Sequence, residues 1–133
     1  MTPKNRILII DDSHSFCKGM RALLEIQPDM KVIGEAPNGP KGMELVEMLQ
    51  PDLVLLDAQM PGMTGVEVAR RIKSCWPNTK VVLMTMYADY RSKAIEAGAD
   101  AFITKGIPPE HTLSLIRGIV QKDKNSSSKE EMK

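Results

Sequence analysis

The sequence has no excess of either charge. Its 18 basic and 17 acidic residues leave a formal net charge of +1, so the domain has no electrostatic footprint for nucleic acid. Cysteine is scarce. Cys17 and Cys75 are the only two, far apart and outside any CxxC pattern. Neither a disulfide framework nor a zinc site is expected; reduced thiols in a cytoplasmic setting are. No apolar run approaches the roughly 20 residues of a membrane span. The start, Met1-Thr2-Pro3-Lys4, leads directly into a strand pattern without the apolar core of a signal peptide. No internal repeat is visible. What is present is 133 residues, 42% of them hydrophobic and 26% charged, enough for one globular domain with a real core. The scattered methionines read as core filling rather than metal binding.

The most informative stretch is Leu53-Val54-Leu55-Leu56-Asp57-Ala58-Gln59-Met60-Pro61-Gly62. A short apolar run ends on a carboxylate and a Pro-Gly turn follows, the pattern of a strand buried on both faces. Four further strands are expected: 6–10, 31–36 as a weaker edge, 80–84 and 101–104. Between them the helical spacing of apolar residues predicts helices. The first is capped by Ser13 and runs to about Ile26, with Phe16, Met20, Leu23 and Leu24 inward. The second starts at Asn38-Gly39-Pro40 and buries Met43, Leu45, Val46 and Leu49. The third opens on Thr64 and Glu67 as a capping box and runs to about Cys75. The fourth is short, over 89–97, ending at Gly98. The fifth opens on Pro108-Pro109 with Leu113, Ile116 and Val120 inward. On it, Leu115 and Ile119 leave two readings open: a broadly buried helix, or an exposed patch on the helix four–strand five–helix five face that serves a homodimer or output partner.

Five strand–helix units predict an α/β domain with a doubly wound five-stranded parallel sheet, order 2-1-3-4-5, flavodoxin-like (βα)5. The domain spans 1–122, and 123–133 is a polar tail or the start of a linker. In such sheets ligands bind beyond the carboxyl ends of the strands. Those ends are Asp11-Asp12, Asp57, Thr85 and Lys105. Three carboxylates on one rim call for a cation between them. Hard oxygen ligands favour Mg2+ or Ca2+, and a small site with room for phosphate oxygens favours Mg2+. A carboxylate can attack phosphorus to give an aspartyl phosphate, with Mg2+ and Lys105 offsetting the phosphoryl charge and the Thr85 hydroxyl donating to it. Asp57 is expected to be ionised near neutral pH, so no general base is needed. His14, the only histidine on the rim, is expected to be exposed on the first turn of the first helix.

Ile9-Ile10-Asp11-Asp12, Leu55-Leu56-Asp57-Ala58-Gln59-Met60-Pro61-Gly62, Met84-Thr85 and Phe102-Ile103-Thr104-Lys105, in that order, resemble the signatures of two-component response-regulator receiver domains (CheY-like). The resemblance covers about residues 5–122. It is closest to the NarL/FixJ type through Val32-Ile33-Gly34-Glu35-Ala36-Pro37-Asn38-Gly39 and Pro51-Asp52-Leu53-Val54. It implies that Asp57 is the phospho-acceptor and that Lys105 and Thr85 contact the phosphate. By the same resemblance Asp11, Asp12, Asp57 and the Gln59 backbone carbonyl hold Mg2+, Asp12 more directly than Asp11, and Phe102 is the switch aromatic beside Thr85. A sensor histidine kinase is the implied phosphodonor and no separate substrate is turned over. Many NarL/FixJ proteins carry a C-terminal helix-turn-helix transcription domain, which these 133 residues lack.

The sequence departs from the family at two places. Gly106 replaces the usual proline after Lys105, so a trans bond is expected there, since a cis bond without proline costs about 3 kcal/mol. Tyr87, two residues after Thr85, is placed to slow attacking water or to compete with Phe102. Three rival functions fit parts of the pattern: a haloacid-dehalogenase-like phosphohydrolase, which needs a second Asp where Gln59 stands; a flavodoxin-like FMN binder, which needs a Ser/Thr/Gly-rich loop where Asp11-Asp12-Ser13-His14 stands; and a phosphorylation-independent interaction module.

Overall fold

Every residue of the run Leu53–Asp57 is buried, and the sheet is built outward from it. The computed structural model describes residues 4–124. Its strands are β1 (Asn5–Ile10), β2 (Met30–Ala36), β3 (Leu53–Asp57), β4 (Lys80–Thr85) and β5 (Ala101–Thr104). They pair in parallel in the order β2-β1-β3-β4-β5, the doubly wound order expected, with β2 at an edge. The helices are α1 (His14–Glu25), α2 (Gly39–Leu49), α3 (Gly65–Cys75), α4 (Arg91–Glu96) and α5 (Pro109–Lys124).

Strands covered on both faces carry continuous apolar runs, and alternation sorts them into two cores. Ile7, Ile9, Leu53, Leu55, Val82, Met84 and Ile103 face α1 and α5. Leu8, Ile10, Val54, Leu56, Val81 and Leu83 face α2, α3 and α4. Each fully buried Leu or Ile contributes roughly 1.5–3 kcal/mol.

Register aligns the strand ends. Ile10 lies beside Leu56, so Asp11 and Asp57 emerge level. Asp57 lies beside Met84 and Thr85 beside Thr104, so Thr85 and Lys105 follow at the next steps. The backbone ladder continues past the strands: the Asp11 N–H donates to the Ala36 carbonyl (3.0 Å), that of Ala58 to Met84 (2.8 Å) and that of Lys105 to Thr85 (2.6 Å). The rim is therefore held by main-chain bonds and not by side-chain packing alone.

Several details differ from the sequence reading. The Thr64 hydroxyl caps α3 by accepting from the Glu67 N–H at 3.3 Å, but the capping box is only half made. The Glu67 carboxylate turns to Arg70 and Arg71 one turn on, which offer it a charge where the Thr64 N–H offers a neutral donor. In α1 the core positions fall to Cys17, Met20 and Leu24, while Phe16 and Leu23 are half-buried. In α5, Thr112, Ile116 and Val120 are buried; Leu113, Leu115 and Ile119 pack half-buried against the same core. Leu115 and Ile119 are thus neither fully buried nor fully exposed, and both readings of that helix stay open. The expected fourth helix splits into a 3-10 turn, Ala88–Tyr90, and the six-residue α4. Ala94 is its only buried residue, so little packing exists to support more turns. Gly98 ends it at φ +84°. Helix α5 continues to Lys124, and residues 125–133 of the expected polar tail lie outside the described residues. Among the described residues no helix is long and apolar enough to cross a membrane.

Candidate functional site

Alternation decides which rim residues meet. Asp57 shares its parity with Leu53 and Leu55, Asp11 with Ile7 and Ile9, and Lys105 with Ile103, all facing α1 and α5. These three converge. The Lys105 ammonium lies 2.7 Å from Asp11 Oδ2 and 3.6 Å from Asp57 Oδ1. Asp11, Asp12 and Asp57 each offer a carboxylate oxygen within 4.8 Å of the others. Asp11 and Asp57 are buried while Asp12 is exposed, so the cluster opens to solvent through Asp12. His14 is exposed on the first turn of α1, as expected.

Thr85 and Phe102 belong to the other parity. Thr85 is buried and follows Val81 and Leu83, which face α3 and α4. Its hydroxyl oxygen accepts from the Tyr87 N–H at 3.1 Å, which leaves its own proton to donate elsewhere. Phe102 is half-buried against the same core and lines a groove with Arg91, Ala94 and Ile95. The structure thus brings the acids and Lys105 together and sets Thr85 and Phe102 as a pair on the opposite face.

The electrostatics correct one expectation. Burial pushes the Asp57 carboxyl up to about 7, opposed by the Gln59 N–H that donates to Oδ1 at 3.2 Å; the Asp11 charge raises it further and Lys105 lowers it. Burial thus favours the neutral form more than the motif alone suggests, and positive charge brought to the site favours the ionised one. Sequence alone, blind to that burial, expects it ionised. Burial likewise raises the Cys17 thiol to about 11, helped by Asp11; it is an inert core thiol.

The residues present fit a hard divalent cation. Asp11 Oδ1 accepts from the Ser13 N–H at 2.8 Å. Asp11 Oδ2 is a buried oxygen without a hydrogen-bond partner; the Lys105 ammonium is near it but off the bonding direction. Its charge is met there by Lys105 alone, at 2.7 Å, and a cation among three carboxylates would add the further positive charge that the cluster calls for.

Three features escaped the sequence reading. The Phe16 ring stacks against Lys105, whose Nζ is 4.3 Å from its centroid. The Gln59 side-chain amide donates to the Tyr90 hydroxyl at 2.9 Å, linking the loop after β3 to the turn before α4. Gly65 presses on the end of β3: a Cβ there would stand 1.9 Å from the Asp57 carbonyl oxygen. No feature of the sequence signals that approach. The bond after Lys105 is trans, as expected, and Gly106 adopts φ +97°, a conformation that glycine reaches without strain.

Comparison with known proteins agrees with this geometry. A family model described as response regulator receiver domain matches residues 7–117. The "Uncharacterized transcriptional regulatory protein YxjL" of Bacillus subtilis (strain 168) is 37% identical over 116 residues, covering 86% of this chain and 53% of that protein. "Response regulator UvrY" of Escherichia coli (strain K12) is 31% identical, covering 85% of this chain and 53% of its own length. The crystal structure of a LuxR-family two-component response regulator from Aurantimonas sp. SI85-9A1 superposes with a TM-score of 0.84 at 30% identity, covering 89% of this chain and 86% of that one. The chain spans about half the length of the curated relatives it matches.

Proposed function

Since this chain belongs to the response regulator receiver domain family, we propose that it is a phosphorylation-controlled switch whose acceptor is Asp57. The Asp57 carboxylate attacks the phosphorus of a sensor kinase's phosphohistidine or of a small acyl phosphate. The new O–P bond forms as the P–N or P–O bond to the donor breaks, and the donor group leaves. Asp11, Asp12, Asp57 and the Gln59 carbonyl would hold Mg2+, which when bound offsets charge on the phosphoryl oxygens. Lys105 shifts from Asp11 towards the new phosphate. The Thr85 hydroxyl donates to it, and Phe102 follows into the space behind Thr85. Charge added at one end of the sheet is thereby read as a change of the α4–β5–α5 face.

The observation that carries this reading is a buried strand-end carboxylate facing one ammonium within a cluster of three acids. The proposed output is transcription control through a helix-turn-helix domain in the longer protein, with residues 1–122 as the receiver, 123–133 as the way out of it, and a homodimer through α4–β5–α5. No separate substrate is turned over. The phosphohydrolase alternative wants an acid at position 59, where the Gln59 amide is bonded to Tyr90.

The test is intact-mass analysis after incubation with acetyl phosphate and Mg2+, with NMR spectra taken in beryllofluoride. Wild type should gain one phosphoryl group and show shifts over β4, α4 and β5; Asp57→Asn should do neither. A folded wild type that stays unmodified and spectrally unchanged would sink the proposal.

A further inference from the structure

We infer that Phe16 is a positioning residue for Lys105, its ring face holding the ammonium over the acidic rim; this rests on the phospho-acceptor reading above. The inner face of α1 is filled by Cys17, Met20 and Leu24. Phe16 is half-buried at the margin of that core and packs against it. Its ring centroid is 4.3 Å from Lys105 Nζ, well inside the distance at which a ring's negative face attracts a cation.

Lys105 needs such a wall. Its side chain has four rotatable carbons and is only 13% exposed, but the pull upon it is one-sided. Asp11 and Asp57 attract it from the rim. An apolar groove of about 320 Å³ runs between α1 and the segment after β5, lined in part by Met20, Leu23, Ile103 and Ile107. Phe16 and Lys105 line it side by side, and the ring is the group in that wall that attracts the ammonium.

A ring suits this task better than a further carboxylate. It attracts the cation without offering an oxygen that would compete with a phosphoryl group. All three N–H donors stay available to oxygens. The contact also tolerates sliding across the ring face. The ammonium, now 2.7 Å from Asp11 and 3.6 Å from Asp57, can follow a phosphoryl group on Asp57 without losing its support. An aliphatic residue would fill the same space and hold nothing.

The test places phenylalanine, its mono-, di- and trifluorinated analogues, tyrosine and leucine at position 16 of the full chain. Fluorination drains the ring's negative face while changing its shape little. With acetyl phosphate and saturating Mg2+, the phosphorylation rate should fall stepwise with fluorine number, reaching about three- to tenfold for the trifluoro and leucine variants. Phe16→Tyr should keep the wild-type rate. By NMR, the Lys105 ε protons should be shifted upfield by the ring in wild type, and Phe16→Leu should abolish that shift. A rate independent of fluorine number, or an ε-proton shift unchanged by leucine, overturns the proposal. A wild type that takes no phosphate overturns the acceptor reading instead, while the ε-proton shift still decides whether Phe16 places Lys105.

Discussion

All five residues of β3 are buried, and β1 beside it is fully buried from Ile7 to Ile10. Two strands away, α4 buries one residue of six, and Met86, Tyr87 and Ile95 stand in solvent around it. The acids grow from the first region and the expected readout lies on the second. Local opening is governed by how much apolar contact an element must give up. The buried β1–β3–β4 core therefore stays fixed, while α4 has little apolar contact to give up and can take a second arrangement. A phosphoryl group at the fixed end has differential contacts to offer a movable one, which is what a two-state switch requires.

The largest effect should come from breaking the fixed half. In Gly65→Ala the new methyl would meet the Asp57 carbonyl oxygen at 1.9 Å, with the Ala58 Cα also within 2.6 Å. Backbone, unlike a flexible side-chain tip, cannot yield there without moving β3. We expect a loss of about 4 kcal/mol or more in urea unfolding, at the upper end for overpacking, with phosphoryl acceptance falling too. A loss below about 1 kcal/mol would show that α3 can back away from the strand, and the contrast between the halves would fail.

A smaller effect tests the charge rather than the packing. The folded-state pKa of Asp57 lies above its ordinary value of 3.8, at about 7. A carboxyl raised in this way contributes stability that is fully present below pH 4 and lost as pH climbs towards 7 and beyond, because the folded state resists ionisation that the unfolded chain accepts. At about 1.4 kcal/mol per pH unit the ceiling is near 4 kcal/mol. With Lys105 moving to favour the charged form, we expect about 2–3 kcal/mol. In metal-free buffer, Asp57→Asn should match wild type near pH 4 and become more stable by that amount at pH 8. A gap independent of pH would mean that the acid cluster is not strained by its own charge.

The strand ends were legible because parallel strands buried on both faces are continuous apolar runs, so the residue that breaks each run is easily seen. The order of strands followed from the βα alternation. What could not be read depends on phase and burial. The apolar arc of α1 includes Phe16, Cys17, Met20, Leu23 and Leu24, and a rotation by one residue exchanges Phe16 for Cys17 at the core. That exchange freed the ring for Lys105. The expected fourth helix begins as a 3-10 turn, Ala88–Tyr90, because Gly98 marks where a helix stops but no comparable signal fixes how its first turn is wound. The protonation of Asp57 depends on its removal from water, which no motif states.

The smallest effect sharpens the other side of the comparison. Ile95 on α4 is 67% exposed, and its branch of the surface lies beside the groove lined by Phe102. Ile95→Ser removes apolar surface that the folded state leaves in water, so unfolding free energy should change by less than about 0.5 kcal/mol. The rate of phosphorylation by acetyl phosphate should also stay at the wild-type value, since the acids and Lys105 face the opposite side of the sheet. If instead urea unfolding reports a loss above about 1 kcal/mol, then α4 is packed as firmly as β3, and the movable end must be sought elsewhere. An unchanged stability together with an unchanged rate places Ile95 outside both folding and chemistry.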